Sequence, residues 1–180
     1  MMRWLAALLL PLLAGCWVGG AFYAALDSRA AIAPGDYRLT APLTGASDSP
    51  MRIAVLPDGL TRIVPMGGNW DQPDEGDATT VGFAPLPGVN GAFLVWLSAI
   101  DDRPLEGALY GVLTRDGGGY RIAFPFCSET SALARANGAR VAEAGEPTCE
   151  FTSRAALEAA LARFARETPP HANDARLTPR

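Results

Sequence analysis

Apolar and polar residues alternate along three pairs of neighbouring segments, and residues typical of turns separate the two members of each pair. Alternation with a period of two predicts strands, and a short turn rich in Pro or Gly between two strands predicts a hairpin. In the first pair the turn is Pro57-Asp58-Gly59, where Pro presets φ and Gly accepts a positive φ. The predicted hairpins are Met51–Leu56 with Leu60–Pro65, Thr79–Leu86 with Ala92–Ile100, and Glu106–Arg115 with Tyr120–Phe126.

Ala92–Ile100 is apolar at both alternating sets of positions, which predicts a central strand covered on both sides. Asp36–Thr40 is a further candidate strand that precedes the hairpins. Two short candidates, Arg140–Glu143 and Thr148–Phe151, follow them. Asp36–Thr40 and the six strands of the hairpins give a predicted sheet of about seven strands, joined mostly by short connections, as in an antiparallel meander.

Two segments have the pattern of helices. Ser128–Asn137 is short, and Gly138 occupies the position of a residue that ends a helix. The second begins at Thr152 or Ser153 and runs to about Arg166, with an apolar stripe of Leu157, Leu161, Phe164 and Ala165. The predicted fold class is α+β: an antiparallel meander of three hairpins packed on this C-terminal amphipathic helix.

The N-terminus has the pattern of an export signal. One positive charge, Arg3, precedes an apolar run from Trp4 to Ala14, and the run ends in Leu13-Ala14-Gly15-Cys16. This tetrapeptide resembles the lipobox of bacterial lipoproteins. The resemblance implies that Met1–Gly15 is a signal peptide cleaved before Cys16, and that the Cys16 thiol carries a diacylglyceryl group.

The same resemblance implies where the protein is located. Two or three acyl chains on Cys16 would hold it durably on a membrane, with its domain in the periplasm of the bacterial envelope. Because Trp17, and not Asp, follows the Cys, the sorting rule of enterobacterial lipoproteins favours the outer over the inner membrane. The resemblance covers only these first residues, and no family is suggested for the domain.

An alternative reading of the N-terminus is an uncleaved signal anchor. The apolar stretch continues past Cys16 to Leu26, and Trp4–Leu26 contains no charge. Such a stretch is long enough to span a bilayer as a helix. In that reading the N-terminal helix attaches the protein to the inner membrane in place of a lipid. The domain again lies outside the cytoplasm.

The other two cysteines agree with export. If Cys16 carries lipid, Cys127 and Cys149 remain as a pair, and an oxidising periplasm favours a disulfide between them.

With a tether at 16–35 and a disordered tail at 168–180, the expected single domain covers residues 36–167.

The composition excludes several kinds of chemistry. The net charge is −4, which argues against nucleic acid as a partner. There is no Lys, so Schiff-base chemistry is excluded, and the single His, His171, lies in the predicted tail. We therefore expect no cofactor and no metal site, since two Cys without a nearby His make only half of a zinc site.

Two polar clusters remain as candidate sites. The segment 66–78 contains Trp70 and the acidic residues Asp71, Asp74, Glu75 and Asp77, which could bind a basic partner. Asp101, Asp102 and Glu106 could form a carboxylate site, although adjacent strand residues point to opposite faces.

Three functional hypotheses follow. The favoured one is a non-catalytic binding or assembly module for an unknown envelope protein or polymer, with no catalytic residues. The alternatives are an inhibitor or accessory factor of a periplasmic enzyme, acting through the acidic segment, and a carboxylate-based hydrolase.

Overall fold

The structure is a computed structural model that describes residues 16–41, 46–67, 70, 72–74, 78–100, 103–142, 147–171 and 174–180. For 46–47, 98–100 and 103–107 only the backbone is described. The signal sequence predicted at Met1–Gly15 lies outside these residues.

The described residues form eleven strands, two α-helices and one 3-10 turn at Ala25–Asp27. The helices are α1 (Cys127–Ala136) and α2 (Arg154–Glu167). The strands are β1 (Trp17–Gly19), β2 (Gly35–Ala41), β3 (Ala46–Val55), β4 (Thr61–Pro65), β5 (Thr79–Pro85), β6 (Ala92–Ile100), β7 (Arg103–Asp116), β8 (Gly119–Ala123), β9 (Arg140–Ala142), β10 (Thr148–Phe151) and β11 (Ala175–Pro179).

Eight of these strands close into an antiparallel barrel. Their order is β6-β5-β4-β3-β2-β11-β8-β7, and the pairing of β7 with β6 closes the ring. The three predicted hairpins are present as β3–β4, β5–β6 and β7–β8. Closure removes the open edges of the sheet, each of which would otherwise expose a row of unpaired backbone groups.

Side chains fill the barrel interior. Every strand of the ring contributes alternate residues to one apolar cluster, in which Phe83 and Leu177 are no more than 1% exposed. Ile32, from the segment that precedes β2, lies in the same cluster and is fully buried. The other buried members from the strands are Tyr37, Ile53, Val81, Val95, Leu113 and Ile122.

A second core lies on the outer surface of β6 and β7. Leu94 and Trp96 of β6 contribute to it with Leu157 and Leu161 of α2. β6 is therefore covered on both sides, as its sequence predicted. The predicted amphipathic helix is also present, and the Ser153 side chain caps it by accepting a hydrogen bond from the amide of Ala156 at 3.2 Å.

A small sheet branches from the barrel at β7. β8 pairs with β7 from Val112 to Asp116, and β1 pairs with it at Ala108 and Leu109. β1 also pairs in parallel with β10, and β10 pairs with β9. The long strand β7 thus belongs to the barrel and to the sheet β7-β1-β10-β9.

Residues 16–34, which we call the N-terminal belt, wrap around the barrel from β7 to the start of β2. After β1 the belt crosses the outer surface of β6, where Tyr23 stacks on Trp96 with ring centroids 5.0 Å apart. Ser28 and Arg29 then bond to β5: the amide of Arg29 donates to the carbonyl of Phe83 at 2.7 Å. The belt ends by inserting Ile32 into the barrel interior.

The predicted α+β meander packed on a helix is therefore wrong. The sheet is a closed barrel with additional strands, and the C-terminal helix packs outside it on β6 and β7. Closure depends on β11, which lies between β2 and β8. A meander joins strands that follow one another directly in the chain. The strand that closes the barrel, β11, follows the C-terminal helix, so a meander of sequential hairpins does not include it.

Two predicted boundaries also differ from the structure. Within the tail predicted to be disordered at 168–180, Ala175–Pro179 is a barrel strand, tied further by an ion pair between Arg121 and Asp174 at 3.1 Å. Within the tether predicted at 16–35, Trp17 and Ile32 are fully buried. Burial of single large apolar side chains holds both segments on the barrel.

No helix among the described residues is long and apolar enough to cross a membrane.

Candidate functional site

Cys16, the predicted lipidation residue, lies at the start of the belt. It forms an isolated antiparallel bridge with Phe126 and is 6% exposed. Trp17 follows directly: it is fully buried, and its indole N–H donates a hydrogen bond to the Thr130 hydroxyl at 2.8 Å. The folded part of the chain therefore includes Cys16, with no tether between this residue and the domain.

Burial also determines the chemistry of the Cys16 thiol. It raises the pKa of that thiol to about 11. At neutral pH almost all of the thiol is protonated, whereas the thiolate is the reactive form. Cys16 in this environment is poorly suited to act as a catalytic nucleophile.

A cluster around Tyr23 holds the middle of the belt. The Tyr23 hydroxyl donates to Glu158 of α2 at 2.5 Å, and the Arg154 guanidinium lies 4.1 Å from the centroid of the Tyr23 ring. Arg154 also pairs with Glu158 and, at 3.5 Å, with Asp27 of the 3-10 turn. Burial and the bond to Glu158 raise the pKa of Tyr23 well above its usual value. This cluster joins the belt to α2.

Tyr110 of β7 adds a second attachment point. Its hydroxyl donates to the carbonyl of Gly20 at 2.5 Å and accepts from the amide of Phe22 at 3.2 Å. The Phe22 and Tyr110 rings are stacked with centroids 6.0 Å apart. Backbone groups of the belt are thus satisfied by a side chain of the barrel wall.

Sequence reasoning missed these attachment residues. One signal was available: Arg154 and Glu158 stand four residues apart on a predicted helix, a spacing at which charges pair. In the sequence, Phe22 and Tyr23 belong to a continuous apolar N-terminal stretch, and nothing in that stretch indicates their contacts with the domain.

Cys127 and Cys149 are at disulfide distance, with sulfur atoms 2.05 Å apart, which agrees with the predicted pairing. The bond joins the start of α1 to β10 and lies in the outer core with Trp17.

Removal of this bond by the double substitution Cys127→Ser and Cys149→Ser should lower the free energy of unfolding. A closed segment with a sequence separation of 22 predicts a loss of about 3 kcal/mol on the loop-entropy model. Urea denaturation of the oxidised protein and of the double variant measures the difference. Equal midpoints in the two proteins would contradict the prediction.

Within the predicted binding segment, the described Trp70 lies beside β2. Trp70 is half-buried, and the guanidinium groups of Arg38 and Arg180 lie 5.8 and 4.8 Å from the centroid of its ring. This ring is therefore already engaged in cation–π contacts within the chain. The amide of Asp74 donates to the carbonyl of Pro65 at 2.8 Å. Asp71, Glu75 and Asp77 lie outside the described residues, so a site formed by the segment stays a prediction.

The structure does not describe the side chains of the candidate carboxylates. Asp101 and Asp102 lie outside the described residues, and Glu106 is in β7 with only its backbone described. Across the part of the chain that is described, no group of three or more His, Cys, Asp and Glu residues is placed to hold a metal ion.

No family model matches this chain, and neither a curated protein nor a solved structure matches it.

Proposed function

We propose that this chain is a lipid-anchored protein of the bacterial cell envelope, whose barrel serves in the periplasm as a non-catalytic binding or assembly module. One observation carries the proposal: Leu13-Ala14-Gly15-Cys16 directly precedes the first strand of the folded domain. A cleavage before Cys16 removes one basic residue, Arg3, and no acidic residue, which takes the net charge from −4 to −5.

The contacts of the belt favour this reading over an uncleaved signal anchor. Trp17 and Tyr23 pack on the barrel, and Trp17–Gly19 is a strand. A membrane helix that stopped before Trp17 would contain only Trp4–Cys16, whereas about 20 apolar residues are needed to span a bilayer. The lipobox requires no such length, because acyl chains supply the membrane affinity.

The contacts also support a module without catalysis. The charged side chains of Asp27, Arg154 and Glu158 are partly exposed, pair with one another and hold the belt on α2. These polar groups hold the N-terminal belt on the domain.

The substitution Cys16→Ser tests the anchor. In cells grown with a labelled fatty acid, we expect the parent protein to be acylated and Cys16→Ser to carry no label and to keep its signal sequence. The serine has nearly the same size as the cysteine but lacks the thiol that forms the thioether, so the fold should be retained.

The matched control is the double variant Cys127→Ser and Cys149→Ser, which should remain labelled because it retains Cys16. Normal processing of Cys16→Ser, or labelling lost only with the other two cysteines, would show that the anchor is assigned to the wrong residue.

A further inference from the structure

Asn-Gly occurs twice in the chain, at Asn90-Gly91 and at Asn137-Gly138, and Ala follows each pair. In this dipeptide asparagine can lose its side-chain amide without an enzyme, because glycine has no Cβ to hinder attack by its own nitrogen. That nitrogen must reach the carbonyl carbon of the asparagine side chain, so the local fold controls the reaction. The two pairs place the same chemistry in two different environments.

Asn90-Gly91 lies in the loop that joins β5 to β6. Both residues are exposed, and Gly91 has a positive φ of 73°. Apart from its chain neighbours, no described atom lies within 4 Å of the position that a Cβ on Gly91 would occupy. The Asn90 side chain and solvent therefore have open access to the Gly91 nitrogen.

The hydrogen bonds of this loop leave the reacting groups free. The amides of Leu86, Val89 and Ala92 donate to carbonyls within the loop. In the described part of the chain, neither the Gly91 amide nor the Asn90 side chain has a hydrogen-bond partner. Rotation of the Asn90 side chain toward the Gly91 nitrogen thus breaks no hydrogen bond.

Asn137-Gly138 lies at the C-terminal end of α1, where hydrogen bonds hold both groups. The side-chain amide of Asn137 donates to the carbonyl of Leu133 at 2.8 Å. The amide of Gly138 donates to the carbonyl of Arg135 at 3.0 Å. Attack by the Gly138 nitrogen would require both bonds to break, so the intact end of α1 protects this pair.

We propose that Asn90 is a site of spontaneous deamidation in the folded protein, whereas Asn137 is protected. The Gly91 nitrogen attacks the side-chain carbonyl carbon of Asn90 and forms a cyclic imide. The side-chain nitrogen leaves as ammonia, which takes up the proton that the Gly91 nitrogen loses. Water then opens the imide at either of its two carbonyls and leaves aspartate or isoaspartate at position 90. This inference does not depend on the proposed lipid anchor.

The modification adds a negative charge to the tip of the loop and keeps the barrel strands unchanged. In the isoaspartate product the backbone also gains a methylene between positions 90 and 91, inside the turn closed by the bond from the Ala92 amide to the Val89 carbonyl at 3.3 Å. The guanidinium of Arg166 in α2 donates to the carbonyl of Gly88 at 3.3 Å and ties the same loop to the helix. We therefore expect the modified protein to remain folded.

Incubation of the folded protein, purified from producing cells, at mildly alkaline pH tests the proposal, since base removes the proton of the attacking nitrogen. The tryptic peptides Ile63–Arg115 and Ala136–Arg140 contain the two asparagines. Tandem mass spectrometry of samples taken over time locates the mass increment of an amide-to-acid conversion. We expect the increment to accumulate at Asn90, in two products of equal mass that separate by chromatography, and to stay at its starting level at Asn137.

Two controls isolate the effect of the fold and of the side chain. In urea with a reductant the end of α1 is lost, and we expect Asn137 to react at a rate comparable to that of Asn90. The variant Asn90→Gln keeps an exposed amide in the loop, but its longer side chain would need a larger ring that closes more slowly. On isoelectric focusing, the folded variant should lose the acidic band that the parent protein acquires.

Each outcome decides for or against the proposal. Reaction at Asn90 alone in the folded protein, with reaction at both asparagines in urea, supports it. Equal rates at Asn90 and Asn137 in the folded protein would show that the end of α1 gives no protection and would overturn it. Absence of reaction at Asn90 in the folded protein, or an undiminished acidic band in Asn90→Gln, would overturn it as well.

Discussion

Replacement of Trp17 by alanine is expected to lower the free energy of unfolding by about 3–5 kcal/mol, the range for truncation of a buried aromatic side chain. Trp17 is fully buried, its ring centroid lies 5.0 Å from that of Phe151 and 6.0 Å from that of Phe164, and its N–H bonds to Thr130. Since domains are stabilised by about 5–15 kcal/mol in total, the loss would be severe. Urea denaturation of the protein without its acyl chains measures it.

Trp70→Ala is the matched control, because it removes the same side chain from the barrel surface. Substitution of the half-buried Trp70 should lower the free energy of unfolding by about 1 kcal/mol or less, mainly through loss of its contacts with Arg38 and Arg180. Equal losses at the two positions would contradict the packing of the belt. If residues 16–35 were a tether, Trp17→Ala would leave the free energy of unfolding nearly unchanged.

Leu177→Ala is expected to have the second large effect, a loss of about 2–5 kcal/mol, as for other buried leucines. Leu177 is 1% exposed in the barrel interior, on the strand that lies between β2 and β8. Loss of its packing weakens the element that closes the ring. The measurement is the unfolding midpoint, together with hydrogen exchange of the amides in β2 and β8.

Thr178→Ala tests whether the effect depends on which side of the same strand the side chain occupies. Thr178 is exposed, and substitution of such a surface residue should change stability by no more than about 0.5 kcal/mol. If Leu177→Ala were equally mild, the C-terminal segment could not be an inserted barrel strand.

The hairpins and both helices were predictable because each has a local signature. Pro57-Asp58-Gly59 is a turn whichever sheet contains it, and Gly138 has the positive φ of 87° expected after a helix. The double-sided burial of β6 was likewise visible in its sequence. Local patterns of this kind specify elements and their neighbours in the chain.

Closure of the barrel was not predictable in the same way. β11 has one large apolar residue, Leu177, and follows Pro169-Pro170, so its sequence resembles that of a polar tail. Its strand conformation is imposed by the free edges of β2 and β8, which are distant in sequence. Pairing between remote segments has no short-range signature.

The contacts of the belt were not predictable for a different reason. The apolar residues after Cys16 continue those of the predicted signal, and composition alone does not separate a residue that faces a membrane from one that faces a core. Trp17, Phe22 and Tyr23 contact the domain. Of the candidate site, the motif identified Cys16 as a lipidation residue, which stays a prediction, whereas the burial of Cys16 and the Tyr23 cluster could not be predicted.

The mass of the N-terminal tryptic peptide tests the central claim most directly. The chain has no Lys, so trypsin cuts only after Arg, and the first sites are Arg3 and Arg29. The account predicts that the membrane-bound protein yields a peptide that begins at Cys16, ends at Arg29 and carries the mass of a diacylglyceryl group with or without an N-acyl chain. An unmodified peptide from Trp4 to Arg29 would contradict it.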